Sequence, residues 1–380
     1  MRFTLSDEQR ELAATVQDFL AEKSPESEVR RLMATPEGYD PAVWTQLTTQ
    51  LGLTGMTIPE EYGGAGFGYV ELGLVFEELG RSLLCAPFFS SIALGAEILL
   101  RSSNEAVKKE LLPGIVEGTL RATLALLERP GGWDESAITL PATPDGGGWT
   151  LTGEKRYVLD GHTADVVLVA ARTEAGVGIF AVDGDASGLA RAHVETLDQT
   201  RKQATLTFTA TPARLVVAAS EGAVVLSRAL QSAAILLAAE QVGGASRALD
   251  MSVEYAKIRH QFGRPIGSFQ AIKHKCADML TEIESGRSAA YYGLWVLDAA
   301  ADPAQADITD ADVAAAASVA KSFCSDMFMH VAADNIQVHG GIGFTWEHSA
   351  HLYFKRAKTD EVLLGPPHYH RELLARQVGL

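Results

Sequence analysis

The chain has 380 residues, 47% of them apolar, and a formal net charge of −16 from 48 acidic against 32 basic side chains. That length suits two or three packed domains rather than one small core, and the acidic balance argues against binding a phosphate backbone as the main task. Three widely spaced cysteines, Cys85, Cys276 and Cys324, include no C-x-x-C pair, which argues against a disulfide framework and a structural zinc site.

The N-terminal stretch MRFTLSDEQRELAATVQDFL carries charge throughout and reads as neither a signal peptide nor a membrane span. Ser6 with Gln9 reads as a capping box, and Leu12, Val16, Phe19 and Leu20 then recur at helical spacing. Pro25, Pro36, Pro41 and the run PEEYGGAGFG break the region into helices, with a further helix expected over Tyr69 to Leu84. From about Thr119 to Val217 short β-type runs alternate with turns: WTLTGEKRYV, ADVVLVAAR, VGIFAVD and ATLTFTATPARL, with DGGG as a strong turn signal. These predict a sandwich or barrel-like domain, mostly antiparallel. The helical period then returns over Ala223 to Arg259, Ser268 to about Ala301 and Asp310 to about Val338, the pattern of an antiparallel bundle. The longest apolar run, around Ala233 to Ala239, is too short by itself to cross a bilayer. The expected organisation is α+β and multi-domain: an N-terminal helical domain over 1–118, a middle antiparallel β domain over 119–217, and a C-terminal four-helix bundle over 218–380. No membrane or nucleic-acid partner is expected, and the expected location is the cytoplasm.

Two segments carry chemistry. The first is YAKIRHQFGRPIGSFQAIKHKCADM, Tyr255 to Met279. An arginine there offers a planar fork of donors for phosphate oxygens, a phenylalanine can pack on a planar ligand, and a glutamine can bond its polar atoms. The second is QVHGGIGFTWEH, Gln337 to His348, where adjacent glycines let backbone approach a ligand closely. Taken singly, the first also reads as a helix end with a solvated arginine and the second as an ordinary glycine turn.

Together, with a long helix pair between them, they resemble the R-x-x-F-G…Q and Q-x-x-G-G-x-G segments of the acyl-CoA dehydrogenase family. IPEEYGGAGFG, LTGEKRYV and HLYFKRAKTDEVLLGPP resemble three further family motifs, so the resemblance runs over nearly the whole chain. It implies the family's fold, an FAD cofactor, an acyl-CoA substrate and an electron-transfer flavoprotein as acceptor. It also implies that Arg259, Gln261, Phe262 and Gln270 hold the FAD pyrophosphate of a neighbouring chain, and that Gln337, Gly340 and Gly341 touch the adenosine half.

The resemblance breaks at the reacting end. The family's α-proton is taken by a glutamate in an E-G-T motif; the aligned residue here is Leu364. The alternative family position for that base falls on Ala233, with Ala234 where its arginine would be. The T-E-P-x-A-G-S-D loop reads LERPGGWD, which puts Leu127 at the ring-contacting hydroxyl, and W-I-T reads Tyr157, Val158, Leu159. Glu240, the one acid in an apolar stretch, lies on nearly the same helix face as Ala233 but about 10 Å further along. It is a candidate base, with a structural ion pair to an arginine as the competing reading. His339, His368 and His370 read as packed or solvated, and Trp44 and Trp295 as core.

Three functions follow. The chain is the non-catalytic, β-type partner in an α2β2 heterotetramer resembling actinobacterial enzymes of steroid side-chain degradation. Or it is a self-sufficient homo-oligomer using Glu240 or another carboxylate. Or it is a flavin-free scaffold of the same fold.

Overall fold

The computed structural model of the chain describes residues 4–129 and 131–380, so Met1 to Phe3 and Pro130 of the LERPGGWD loop lie outside the described residues. Helices come first: α1 (Asp7–Lys23), α2 (Glu26–Met33), α3 (Pro41–Thr45), α4 (Tyr69–Ser82), α5 (Glu97–Arg101) and α6 (Glu105–Val116). Seven strands follow: β1 (Ala122–Ala125), β2 (Ala142–Asp145), β3 (Gly148–Leu159), β4 (Val166–Thr173), β5 (Gly176–Asp183), β6 (Leu189–Val194) and β7 (Gln203–Val217). Helices then return as α7 (Gly222–Ile258), α8 (Gln270–Ala301), α9 (Asp310–His339), α10 (Ala350–Val362) and α11 (Pro367–Gln377). A minimal hairpin, β8 (His260–Gln261) and β9 (Arg264–Pro265), joins α7 to α8.

Local chemistry sets these boundaries. Ser6 Oγ accepts from the Gln9 amide while the Gln9 side chain accepts from the Ser6 N–H, closing the expected capping box of α1. Thr309 and Asp312 do the same for α9, and Asp40 ahead of Pro41 caps α3.

The chain divides into two compact units. One comprises the chain up to Arg30, Tyr69–Leu84 and Ala234–Leu380; the other comprises Arg31–Gly68 and Cys85–Ala233. In the first unit, α8 packs along α9, α10 and α11 lie on α9, and α1 and α8 flank α4. Glycines set how closely these helices approach. A Cβ on Gly80 would sit 1.9 Å from the Glu240 carbonyl oxygen, and one on Gly243 would sit 1.7 Å from that of Glu77. The two backbones of α4 and α7 therefore meet only because both residues lack side chains. α7 is long and apolar enough, by length and composition, to cross a bilayer, but 67% of its most apolar window is buried inside the protein, as in a core helix.

In the second unit the strands form one sheet, ordered β1-β4-β5-β7-β3-β2 with β6 also on β7. Only β1 and β4 pair in parallel among the strands. The expectation of a sandwich or barrel resolves to a single sheet that rolls back on itself. The Arg172 amide of β4 donates to Leu140 O at 2.8 Å, and Pro141 bridges Arg172 just ahead of β2. Register shifts in β3, between Leu151 and Gly153 and between Lys155 and Val158, supply the bend. The rolled face encloses Leu151, Val167, Phe180, Leu206 and Phe208. Trp44 is buried, with its indole N–H on Gly118 O at 2.8 Å, whereas Trp295 is only half-buried, beside Tyr292.

Candidate functional site

The R-x-x-F-G segment forms the β8–β9 hairpin. The Arg259 amide donates to Tyr255 O at 2.9 Å, and the Ile266 amide donates to Arg259 O at 2.8 Å, so the arginine's backbone is fixed at the hairpin's base. Its side chain is exposed and, among the described residues, has no ion-pair partner. Arg264 on the opposite strand is occupied, its guanidinium 4.1 Å from the Phe269 ring centre. Phe262 stands at the tip with φ +53° and is 91% exposed. A bulky residue in the left-handed region is strained, and a ring so exposed recovers little of that by burial. Within the chain Phe262 meets Phe269 edge to face, with ring centres 6.2 Å apart. Gln261 and Gln270, the latter at the first position of α8, are exposed as well.

The glycine turn closes α9. Gly340 adopts φ +63°, ψ −141°, a conformation open essentially only to glycine, and its amide donates to the carbonyls of Ile336 and Gln337. A Cβ at Gly340 or Gly341 would meet nothing within 4 Å, so the turn presents bare backbone to open space. Gln337 is exposed beside it. The two segments meet through a ring stack. Tyr255, one helical turn before Arg259, lies on His339 with centroids 4.4 Å apart, and His339 lies 4.1 Å from His348. His339 is 4% exposed, and its Nδ1 is 2.8 Å from Asn335 O; burial and the neighbouring His348 hold its pKa below the ordinary imidazole value. His339 is thus packed, as expected, but it is also the wedge that joins the two motif segments. Its pairing with Tyr255 was not legible from the motif. These residues fit the ADP end of an FAD: a fixed, uncommitted guanidinium, an exposed aromatic, exposed amides and a backbone cradle without side chains.

The base position is built differently. Leu364 is buried with φ +60°, followed by Gly365 at φ +102°. Lys321, fully buried in α9, donates to Gly365 O at 3.1 Å, Asp360 O at 3.0 Å and Ser325 Oγ at 2.9 Å. His370 Nε2 lies 2.9 Å from Leu364 O. Burial pushes the Lys321 ammonium down to about 8 despite the nearby Asp360 charge, and pushes His370 down to about 4. His368, by contrast, is exposed. The turn is thus pinned by main-chain acceptors, with a side chain at 364 that cannot take a proton.

Glu240 does not stand ready to replace it. Its Oε1 accepts from Arg356 Nη1 at 2.7 Å, and both side chains are under 5% exposed. A buried carboxylate held by a buried guanidinium is the structural pair that competed with the base reading, and the candidacy of Glu240 as a base is corrected accordingly. Arg356 sits in HLYFKRAK, more than a hundred residues away, and no local pattern linked the two. Ala233 and Ala234 are fully buried in α7.

In the second unit, Leu127 is half-buried and Leu159 is 3% exposed. The loop's backbone is nevertheless held. Buried Lys155 donates to Leu126 O at 2.9 Å and to Glu128 Oε1 at 2.6 Å, and Glu128 accepts from the amides of Thr139 and Leu140. Burial pushes Lys155 down to about 8. The Thr123 hydroxyl donates to Leu159 O at 2.6 Å. Here, too, the frame is intact and the hydroxyls are gone.

Comparison with known proteins agrees with this fold. The family "Acyl-CoA dehydrogenase, N-terminal domain" matches residues 6–119, and "Acyl-CoA dehydrogenase, C-terminal domain" matches residues 220–379. Acyl-CoA dehydrogenase IpdE2 of Mycobacterium tuberculosis is 34% identical over 98% of this chain and 97% of its own. Among solved structures, the chain resembles a variant of the Tcur3481–Tcur3483 steroid ACAD at TM-score 0.86 and 34% identity, covering 99% of this chain and 98% of that one. It resembles the ChsE4–ChsE5 complex from Mycobacterium tuberculosis at TM-score 0.88 and 27% identity, covering 100% and 99%. The chain belongs to the acyl-CoA dehydrogenase family, oxidoreductases that act on the CH–CH group of acyl-CoA thioesters with FAD as cofactor.

Proposed function

We propose that this chain is the partner subunit of a heteromeric acyl-CoA dehydrogenase, supplying the ADP-side clamp to an FAD whose reacting end lies in a homologous catalytic chain. One observation carries the reading: the turn that would hold the base is intact and pinned, yet presents Leu364. Arg259, Gln261, Phe262 and Gln270 would hold the pyrophosphate, with Gln337, Gly340 and Gly341 at the adenosine. When bound, FAD supplies the oxidising ring that accepts hydride from the acyl β-carbon. This chain's residues would bind and orient the cofactor; the two aligned base positions hold Leu364 and Ala233, neither of which can take a proton.

Two similar structures, the Tcur3481–Tcur3483 steroid ACAD and the ChsE4–ChsE5 complex, are named for two different chains, and the first for a steroid; they support a heteromeric assembly, for which we propose α2β2, and a bulky acyl group. The family supports an electron-transfer flavoprotein as acceptor. A self-sufficient homo-oligomer is disfavoured because Glu240 is committed to Arg356.

The test is co-expression with a homologous acyl-CoA dehydrogenase from the same organism that keeps the glutamate base, followed by native mass and flavin content. The expected product is a mixed tetramer carrying FAD. A colourless mixed assembly favours a scaffold, and a yellow homo-oligomer active by itself overturns the partner reading.

A further inference from the structure

The arginine hairpin and the glycine turn stand on narrow footings. Residues 257–264 are all exposed, so Tyr255 and Ala256 are the last residues of α7 that are not. The chain leaving the hairpin comes back onto that footing: a Cβ on Gly267 would sit 2.9 Å from Ala256 O. On the other segment, Gly343 is the one buried residue between His339 and His348. A Cβ on it would sit 2.9 Å from His339 Cβ and 3.0 Å from Ile336 O, so the turn folds directly back onto His339.

The two footings meet in the ring stack. The Tyr255 and His339 rings lie 4.4 Å apart and 33° from parallel, and His348, from the far end of the turn, lies 4.1 Å from His339. About one helical turn earlier, Ser252 Oγ donates to Asn335 Oδ1 at 2.9 Å, with both residues fully buried. That bond ties α7 to α9 before either segment begins, and the stack adds a second tie where the segments leave the helices. The His339 ring cannot swing away freely, because its Nδ1 is 2.8 Å from Asn335 O. Close-packed interiors are barely compressible, so a shift of the end of α7 has to move the His339 ring, and with it the turn that rests on it.

We propose that His339 is a positioning residue: with Tyr255 it holds the Arg259 hairpin and the Gly340–Gly341 backbone at one fixed spacing, so that the two bind FAD as a single site. The effect on FAD rests on the reading of these segments as a clamp. The mechanical coupling of the segments stands without it. His339 itself need not touch the cofactor, since it acts through Gly340 on one side and through Tyr255 on the other.

Amide exchange on the full chain without flavin tests the coupling, and FAD dissociation from the co-expressed assembly tests its use. Tyr255→Ala, made on α7, is expected to quicken exchange about tenfold at residues 341–346 of the other segment. His339→Ala, made on α9, should do the same at residues 260–266, and neither should alter residues 363–366. Each should also weaken FAD retention about tenfold, and the double variant should weaken it no further than either alone, because both remove one contact. His339→Phe keeps a flat ring in place and should restore both readouts, whereas His339→Leu, which only fills space, should not. Additive losses, exchange confined to the segment that carries the substitution, or rescue by leucine as full as by phenylalanine each overturns the proposal. A wild-type assembly that takes up no FAD, or an Arg259→Met assembly that keeps it fully, overturns the clamp reading instead, and the exchange result then still upholds or sinks the coupling.

Discussion

The hairpin at residues 260–265 and the turn at residues 363–366 are both short connections between helices, and they are built in opposite ways. The hairpin exposes its side chains: Phe262 stands almost wholly in water and Arg259, among the described residues, has no ion-pair partner. The turn is sealed, with Leu364 buried and its carbonyls taken by Lys321 and His370. An aromatic ring this exposed, with only the edge contact to Phe269, leaves the hairpin open to contact from outside the chain. Sealing explains how chemistry can disappear while the frame stays. The donors that pin the turn read only main-chain oxygens, so they are indifferent to whether residue 364 is a base or a leucine.

The same contrast sets what substitutions should do. The largest effect is expected at the buried pair. Glu240→Ala or Arg356→Met alone should cost about 3–5 kcal/mol in urea unfolding, because each strands a buried charge, while replacing both with apolar residues should be far milder. A small loss from Glu240→Ala would reopen its reading as a base. Next is Lys321→Met, which strands buried carbonyls and should cost about 2–3 kcal/mol. Amide exchange should then quicken at residues 363–366 and not at 260–265; equal quickening at both would dissolve the contrast.

His370 gives a pH effect of about 3 kcal/mol. Its folded pKa is depressed to about 4, so the unfolded chain binds the proton first. The stability it contributes is full above about pH 6.5 and is lost as pH falls toward 4. His370→Gln should flatten that part of the acid titration, and an unaltered slope would contradict the burial argument. The smallest stability effects belong to the hairpin. Arg259→Met and Phe262→Ala should each change the stability of the chain alone by under about 0.5 kcal/mol. In the assembled oligomer, however, Arg259→Met should weaken flavin retention about tenfold or more. Substantial unfolding of the isolated chain would mean that the hairpin serves the fold.

Much of this was legible in the sequence. The Ser6–Gln9 cap, the strand runs and the three long helices lie where periodicity and turn residues put them, because those signals are local. The local geometry of the two motif segments was legible because backbone demands, a glycine at φ +63° in Gly340 and an arginine held at a helix end, leave residue-level marks. Tertiary pairing left none. Arg356 meets Glu240 across the bundle, and Lys321 lies in an alanine-rich helix that reads only as close packing. The crossing of Gly80 and Gly243 with facing backbones looks, in sequence, like two ordinary glycines. A sandwich or barrel-like domain was expected, but the choice of one rolled sheet was hidden, since the register shifts in β3 that bend it depend on how its partner strand pairs.

The proposed partner role predicts a distinctive result in an anaerobic acyl-CoA titration followed by flavin absorbance. The chain purified alone and reconstituted with FAD is titrated beside the co-expressed assembly. Bleaching is expected in the assembly, its loss there with Arg259→Met, and none with the chain alone. Stoichiometric FAD and full bleaching by the isolated chain would contradict the partner role.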